Sequence, residues 1–231
     1  MSGNSPIYRY GLVLVAAVTA CLLLALSWPR LHASLRYLPV DTAISNYWKS
    51  REFDNAQLGG LIERAQQAIT IHDHYRYFEG LSELQIINGQ DMSQTMWQRR
   101  EALEASINAA EQALMRSPAK PRTWLRIARA REFLGYTSET IIPPLKMSIL
   151  TGRYEPTLMI SRLELGFRYL AALDAEGIGL IRDEAVLTWR TEQKTMLKQI
   201  KSGAINLGLL NEVLSDGNQA MVLEIEAHLV K

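Results

Sequence analysis

The segment Ala113–Gly135, ALMRSPAKPRTWLRIARAREFLG, decides how this chain folds, because one apolar helix ends in it and another begins. The preceding apolar stripe predicts a helix over residues 93–116. Pro118 cannot donate a helical hydrogen bond, so the helix has to end before it. Trp124 then opens a second helix, and Gly135 is the residue type favoured just after a helix end. We therefore predict a tight joint between two helices at this point.

The helical period extends outward from this joint in both directions. Apolar residues recur at steps of three and four, as in Leu58, Leu61 and Ile62 on the N-terminal side. Strands would require an alternating pattern, and we find none of useful length. The sequence therefore predicts an all-α protein.

The joint recurs in altered form 34 residues later, where Gly152 corresponds to Pro118 and Leu158 to Trp124. This spacing resembles the tetratricopeptide repeat, in which antiparallel helical hairpins stack into an array. The resemblance implies such an array over residues 41–231. In the hairpin between the two joints, the second helix is expected to be short and to start at Pro144. The residues with implied structural roles are Ala113, Pro118, Trp124, Ile127, Ala128, Gly135, Gly152, Pro156 and Leu158.

The N-terminal region contains a stretch that is long enough to cross a membrane. Residues 11–28 carry no charge, and eighteen helical residues span close to the roughly 30 Å of a bilayer core. We predict a short cytoplasmic tail over residues 1–10, a transmembrane helix over 11–28 and a linker over 29–40. An alternative is a lipid anchor at Cys21, because Val18-Thr19-Ala20-Cys21 resembles a bacterial lipobox.

A narrower resemblance suggests a cellular setting. The N-terminal anchor, the degenerate repeat and the segment LKMSILTGRYEPTLMISRLELGFRYL at residues 145–170 resemble VpsP-like accessory proteins of bacterial exopolysaccharide biosynthesis clusters. Positive charges flank residues 11–28 almost equally, so the charge rule alone does not orient the chain. The resemblance implies a single-pass protein of the bacterial inner membrane whose C-terminal domain is periplasmic.

Composition and motifs argue against several functions. A net charge of +1 among 231 residues argues against a nucleic-acid partner. The one cysteine excludes an intrachain disulfide, and we predict no catalytic residue, metal or cofactor. His72 and His74 are only two residues apart, which would place them on different sides of a helix, so they predict a turn rather than a metal site.

The arginine-rich helix after the joint is the candidate partner-binding surface. By resemblance, the concave face of the first helix in each repeat binds partner peptides. The matching residues are Arg122, Leu125, Arg126, Arg129, Glu132 and Phe133. Guanidinium groups there would hold carboxylates or phosphates. The alternative is a solvated basic face with local ion pairs, such as one between Arg129 and Glu132.

These features favour a non-enzymatic, membrane-anchored scaffold that binds other envelope or polysaccharide-machinery proteins. One alternative is a carbohydrate-binding or glycan-modifying periplasmic module. The aromatic residues that would stack on sugars are also explained as core anchors; they are Trp97, Trp124, Trp189, Tyr154, Phe167 and Tyr169. A second alternative is an assembly factor of another envelope complex.

Overall fold

The computed structural model describes residues 6–50, 53, 55–215 and 217–229. Within these residues it contains ten α-helices and no strand, so the all-α prediction is confirmed. The predicted N-terminal tail lies partly outside the described residues. The helices are α1 Pro6–Ser50, α2 Asn55–Ile71, α3 Tyr75–Gln90, α4 Met96–Arg116, α5 Pro121–Phe133, α6 Ser138–Thr151, α7 Pro156–Arg168, α8 Ala175–Lys201, α9 Leu207–Leu214 and α10 Gln219–Leu229.

The first helix, α1, runs through the whole predicted linker. Among the described residues it is the one helix long and apolar enough to span a membrane, with a mean hydropathy of 2.3 over its most apolar window. It then continues past Pro29 and Pro39, so residues 29–40 are helical and the predicted linker is wrong. Each proline removes one backbone hydrogen bond. Packing of the residues between and after the prolines offsets this loss.

The described residues as far as Leu84 form one compact unit, whose core is shared by three helices. Ala33, Tyr37 and Val40 lie on one stripe of α1 and are buried. They pack in one cluster with residues of α2 and the first half of α3. The apolar N-terminal half of α1 has no such cover, because its large side chains are exposed along its length.

Residues 85–231 form the second compact unit. The boundary between the two units lies within α3. The helical domain expected over residues 41–231 stays a prediction. Successive helices from α4 to α8 pack against their neighbours, and α9 and α10 pack against α8. Near its middle, α8 is interrupted by a non-helical backbone conformation at Glu192.

The predicted joint is present between α4 and α5. Helix α4 begins with a capping box in which Thr95 accepts from the Gln98 N–H. It ends at Arg116, and α5 begins with Pro121 at its first turn. A similar joint recurs 35 residues later, where Gly152 ends α6 and Pro156 begins α7. The interval is thus one residue longer than predicted, and the tetratricopeptide-like array stays a prediction.

Helix α6 differs from the prediction that it would start at Pro144. It begins at Ser138 and contains Pro143 and Pro144. Pro144 has no N–H to donate to the Thr140 carbonyl, which is four residues earlier. The guanidinium of Arg131 donates to that carbonyl instead, at 2.8 Å. A side chain of α5 therefore replaces the missing helical hydrogen bond.

The second joint requires a close approach of Gly152 to Pro121. A Cβ atom at Gly152 would lie 2.5 Å from Cγ of the Pro121 ring, which is too rigid to move aside. The φ of Gly152 is −159°, an extended value that any residue adopts. Space, and not backbone conformation, therefore selects glycine here.

We predict that Gly152→Ala lowers the free energy of unfolding by about 1–3 kcal/mol, the usual cost of overpacking. Gly179→Ala in α8 is the matched control, since its Cβ would meet nothing within 4 Å. It should raise the free energy of unfolding by about 0.5–1 kcal/mol, because alanine is favoured over glycine inside a helix. Urea unfolding of the full chain in detergent, followed by circular dichroism, checks both. Equal stability of the two variants would contradict the close approach.

Candidate partner-binding face

Two of the three arginines predicted to bind a partner, Arg122 and Arg129, pair with carboxylates on or next to α7. Arg129 donates to Glu132 at 3.2 Å and to Glu164 of α7 at 2.9 Å. Glu132 also pairs with Arg168, near the end of α7. These charge-assisted bonds connect α5 to α7. Arg129 and Glu132 are therefore part of the packing between helices.

Arg122, in the first turn of α5, contacts residues at the start of α7. It donates to the Thr157 hydroxyl at 3.1 Å and lies 3.9 Å from the Glu155 carboxylate. We call the surface formed by these two helices the α5–α7 face. Its members are Arg122, Arg129, Glu132 and Phe133 on α5, with Glu155, Thr157, Glu164 and Arg168 on or next to α7.

Two of the predicted contact residues are not on this surface. Leu125 is a core residue packed with Leu145 and Leu158. Arg126 is also buried, at 8% exposure. They fall on the inner side of α5 because that helix packs on both α4 and α6, which leaves a narrow exposed stripe.

What remains exposed on the α5–α7 face is mixed in character. Phe133 is an apolar side chain that is 49% exposed. Arg168 and Glu155 contribute exposed charges of opposite sign. The face thus offers an aromatic side chain beside paired charges, and the Arg129–Glu132 ion pair weighed in the sequence is present. It suits a partner with an apolar anchor better than a purely acidic ligand.

Several residues predicted to have structural roles at the joint are buried or close its turns. Ala113, Ile127, Ala128 and Leu158 are buried in the core. The Trp124 indole N–H donates to the Pro118 carbonyl at 2.8 Å, which closes the turn between α4 and α5. Gly135 has a φ of +72°, the left-handed conformation favoured after a helix end.

Sequence reasoning missed Arg162 on α7, which is the largest fully buried side chain among the described residues and is 0% exposed. Its guanidinium donates to the Glu184 carboxylate at 3.0 Å and to the Gly152 carbonyl at 3.0 Å. It also donates to the hydroxyl and the carbonyl of Ser148. The Ser148 hydroxyl in turn donates to the Pro121 carbonyl, so one side chain connects α5, α6, α7 and α8.

The adjacent carboxylates Asp183 and Glu184 lie in two different environments. Asp183 is exposed, whereas the Glu184 side chain is 1% exposed. Burial raises the pKa of the Glu184 carboxyl, and the nearby Arg162 offsets part of that increase. Adjacent helical positions point in different directions, and this explains why only one of the two is buried.

A shallow cavity of about 300 Å³ lies beside this buried pair. Tyr154, which is 79% exposed, lines it together with Arg153, Asp183 and Arg190. Trp97 is also exposed, so the core-anchor interpretation is wrong for Tyr154 and Trp97 and confirmed for Trp189 and Phe167. Tyr154 thus adds an accessible aromatic ring beside groups of both charge signs.

His72 and His74 lie in the turn between α2 and α3, as the sequence predicted. Their ring centroids are 6.0 Å apart, and the His74 ring accepts from the Arg76 backbone N–H at 3.3 Å. In the part of the chain that the structure describes, no group of three or more metal-ligating side chains was found.

Compared with known protein families and curated proteins, the chain matches no family model and no curated sequence. The tetratricopeptide-like and VpsP-like resemblances therefore stay predictions.

We predict that Arg162→Met lowers the free energy of unfolding by about 3–5 kcal/mol, because it leaves a buried carboxylate without its partner. The double variant Arg162→Met/Glu184→Leu should lose clearly less free energy of unfolding than Arg162→Met alone, because it leaves no buried charge unpaired. Urea unfolding of the four proteins in a double-mutant cycle measures the coupling. A double variant that loses the full sum of the two single losses would contradict this.

The Arg162→Met loss should also depend on pH. Without Arg162, burial raises the pKa of Glu184 further above its unfolded value. A raised carboxyl pKa gives full stability below the unfolded pKa of about 4.3 and loses stability as the pH rises through the folded value. The deficit of the variant should therefore be smaller at pH 4 than at pH 7. A deficit that is equal at both values would contradict the role of the buried charge.

Proposed function

We propose that this chain is a non-enzymatic scaffold, anchored in a membrane by α1, that binds other envelope proteins through the α5–α7 face. The observation that carries the anchor is the exposed apolar half of α1. Large side chains from Leu12 to Trp28 are more than half exposed. So much contiguous apolar surface is unfavourable in water and is stable inside a bilayer.

The continuity of α1 supports a scaffold more than a tethered module. The same helix that carries the apolar segment also supplies Ala33, Tyr37 and Val40 to the core of the first unit. That unit therefore has little freedom to rotate about the anchor. A fixed orientation favours a protein that positions a partner.

The finer parts of the proposal rest on sequence resemblance. The chain is a single-pass protein of the bacterial inner membrane with a periplasmic C-terminal region, and its hairpins form a tetratricopeptide-like array. Its process is exopolysaccharide biosynthesis or export, as for VpsP-like accessory proteins. An assembly factor of another envelope complex would use the same surface.

A lipid anchor at Cys21 is the alternative to a transmembrane helix. Cys21 is exposed and lies inside α1, with apolar residues on both sides. Cleavage before it would remove half of the apolar segment. Intact mass of the purified protein separates the two forms.

A second candidate function is glycan binding at the cavity beside Tyr154. An exposed aromatic ring next to arginine and carboxylate groups is a common arrangement for stacking and hydrogen-bonding a sugar. This alternative does not depend on the α5–α7 face, so the two can be tested separately.

For the scaffold, we expect Phe133→Ala to reduce the envelope protein that co-purifies with the detergent-solubilised full chain by at least about fivefold, as for a central aromatic contact. Met115→Ala is the matched control, because Met115 is an exposed apolar residue of α4 outside the face. Quantitative mass spectrometry of tagged variants measures recovery. Unchanged recovery with Phe133→Ala would reject this face as the contact.

For glycan binding, we expect calorimetric titration to detect an oligosaccharide whose affinity falls about fivefold in Tyr154→Ala, the scale of one lost aromatic contact. Oligogalacturonate and cellotetraose serve as acidic and neutral probes. Trp97→Ala removes an exposed aromatic residue that does not line the cavity and should change nothing. No binding by the wild-type chain, or equal losses in both variants, would reject this function.

A further inference from the structure

A polar cavity of about 620 Å³ lies in the first unit, just beyond the apolar segment of α1. Arg30 and Ser34 of α1 line it, and His72 lines it from the turn between α2 and α3. Because the chain reverses direction between α1 and α2, the end of α2 returns toward the start of the polar half of α1. The exposed Arg36 guanidinium of α1 donates to the Gln67 side chain of α2 at 2.7 Å, which shows that the two helices lie side by side at this level.

The cavity lies at the height of lipid headgroups if α1 spans the bilayer as proposed above. Arg30 follows Trp28 by two residues, which is about 3 Å along a helix axis. The headgroup layer on each side of the hydrocarbon core is about 5–7 Å thick. Arg30 therefore lies inside that layer, and Ser34, about 9 Å beyond Trp28 along the helix axis, lies just outside it.

The donors in the cavity suit a phosphate group. Arg30 has no ion pair or hydrogen bond to any other described residue, so its guanidinium is available to an anion. The His72 ring offers an N–H donor. The Ser34 hydroxyl shares a hydrogen bond with the Tyr77 hydroxyl at 3.1 Å, and it offers its own O–H to an anion when Tyr77 is the donor in that bond. The 16-residue helix α3 begins directly after this turn, and its N-terminal dipole adds a favourable field for negative charge.

The carboxylates of the cavity do not cancel this preference. Asp41 is paired with Arg76 at 2.7 Å, and that pair lies further along α1 from the membrane segment. The pair also holds the pKa of Arg76 above its ordinary value, chiefly through its hydrogen bond to Asp41. Asp73 is exposed, so its charge is screened by water.

We propose that this cavity binds the phosphate of an anionic phospholipid headgroup, with Arg30, Ser34 and His72 as the contacting residues. The proposal rests on the membrane anchor of the proposed function. Bound lipid would hold the first unit against the membrane surface, in addition to the attachment that α1 provides by crossing the membrane.

Native mass spectrometry of the full chain in neutral detergent tests the proposal. The probes are phosphatidylglycerol, diacylglycerol with the same acyl chains, and soluble glycerol phosphate. We expect retention of phosphatidylglycerol and not of diacylglycerol, because only the former carries phosphate. Equal retention of both would overturn the proposal, and so would full displacement of the lipid by equimolar glycerol phosphate, which would indicate a site for soluble phosphate esters.

Variants separate a defined site from diffuse attraction. Arg30→Gln should weaken phosphatidylglycerol binding about fivefold, the contribution of one arginine near an anionic lipid surface. Ser34→Leu, which fills the cavity and changes no charge, should reduce binding by a similar factor. Arg36→Gln is the control, since Arg36 is exposed on α1 but does not line the cavity. Equal losses in Arg30→Gln and Arg36→Gln, with none in Ser34→Leu, would overturn the proposal.

Failure of the anchor is measured separately. Partition of the wild-type chain into phosphatidylcholine vesicles reports on α1 alone. A chain that stays in solution would reject the anchor and this site together. A chain that enters vesicles normally but retains no phosphatidylglycerol would reject this site alone.

Discussion

The central constraint on this protein is that one helix has two environments. The first half of α1 exposes apolar side chains on all sides, and the second half buries a stripe of them against α2 and α3. Because the helix is continuous, the packing of Ala33, Tyr37 and Val40 also determines how the first unit is oriented about the apolar segment. The proposed anchor, the proposed headgroup site and the proposed positioning role all depend on this continuity.

In the second unit, charged groups contribute to the packing. Arg162 is buried among four helices, and the arginines of α5 pair with carboxylates of α7. A buried ion pair adds little net stability, but leaving one partner alone is costly. Such pairs therefore restrict which helices can pack together. On the α5–α7 face, Arg129 and Glu132 are engaged in such pairs, and Phe133 is the exposed apolar side chain beside them.

Local signals predicted much of this architecture. The period of apolar residues located the helices, and Pro118, Trp124 and Gly135 located the joint, because each acts within a few residues of itself. Signals that depend on distant partners were missed. Residues 29–40 suggested a linker and Pro144 a helix start, yet α1 continues through Pro39 and Arg131 supports α6 at Pro144. The burial of Arg162 was likewise hidden, since its partners come from residues 148, 152 and 184.

Amide hydrogen exchange of the full chain in lipid nanodiscs tests the continuity of α1 most directly. The measurement compares the backbone amides of residues 30–38 with those of α2. If α1 is one helix packed into the first unit, these amides exchange as slowly as those in the middle of α2. Exchange at the rate of an unstructured peptide across residues 30–38 would show a flexible linker and contradict the account.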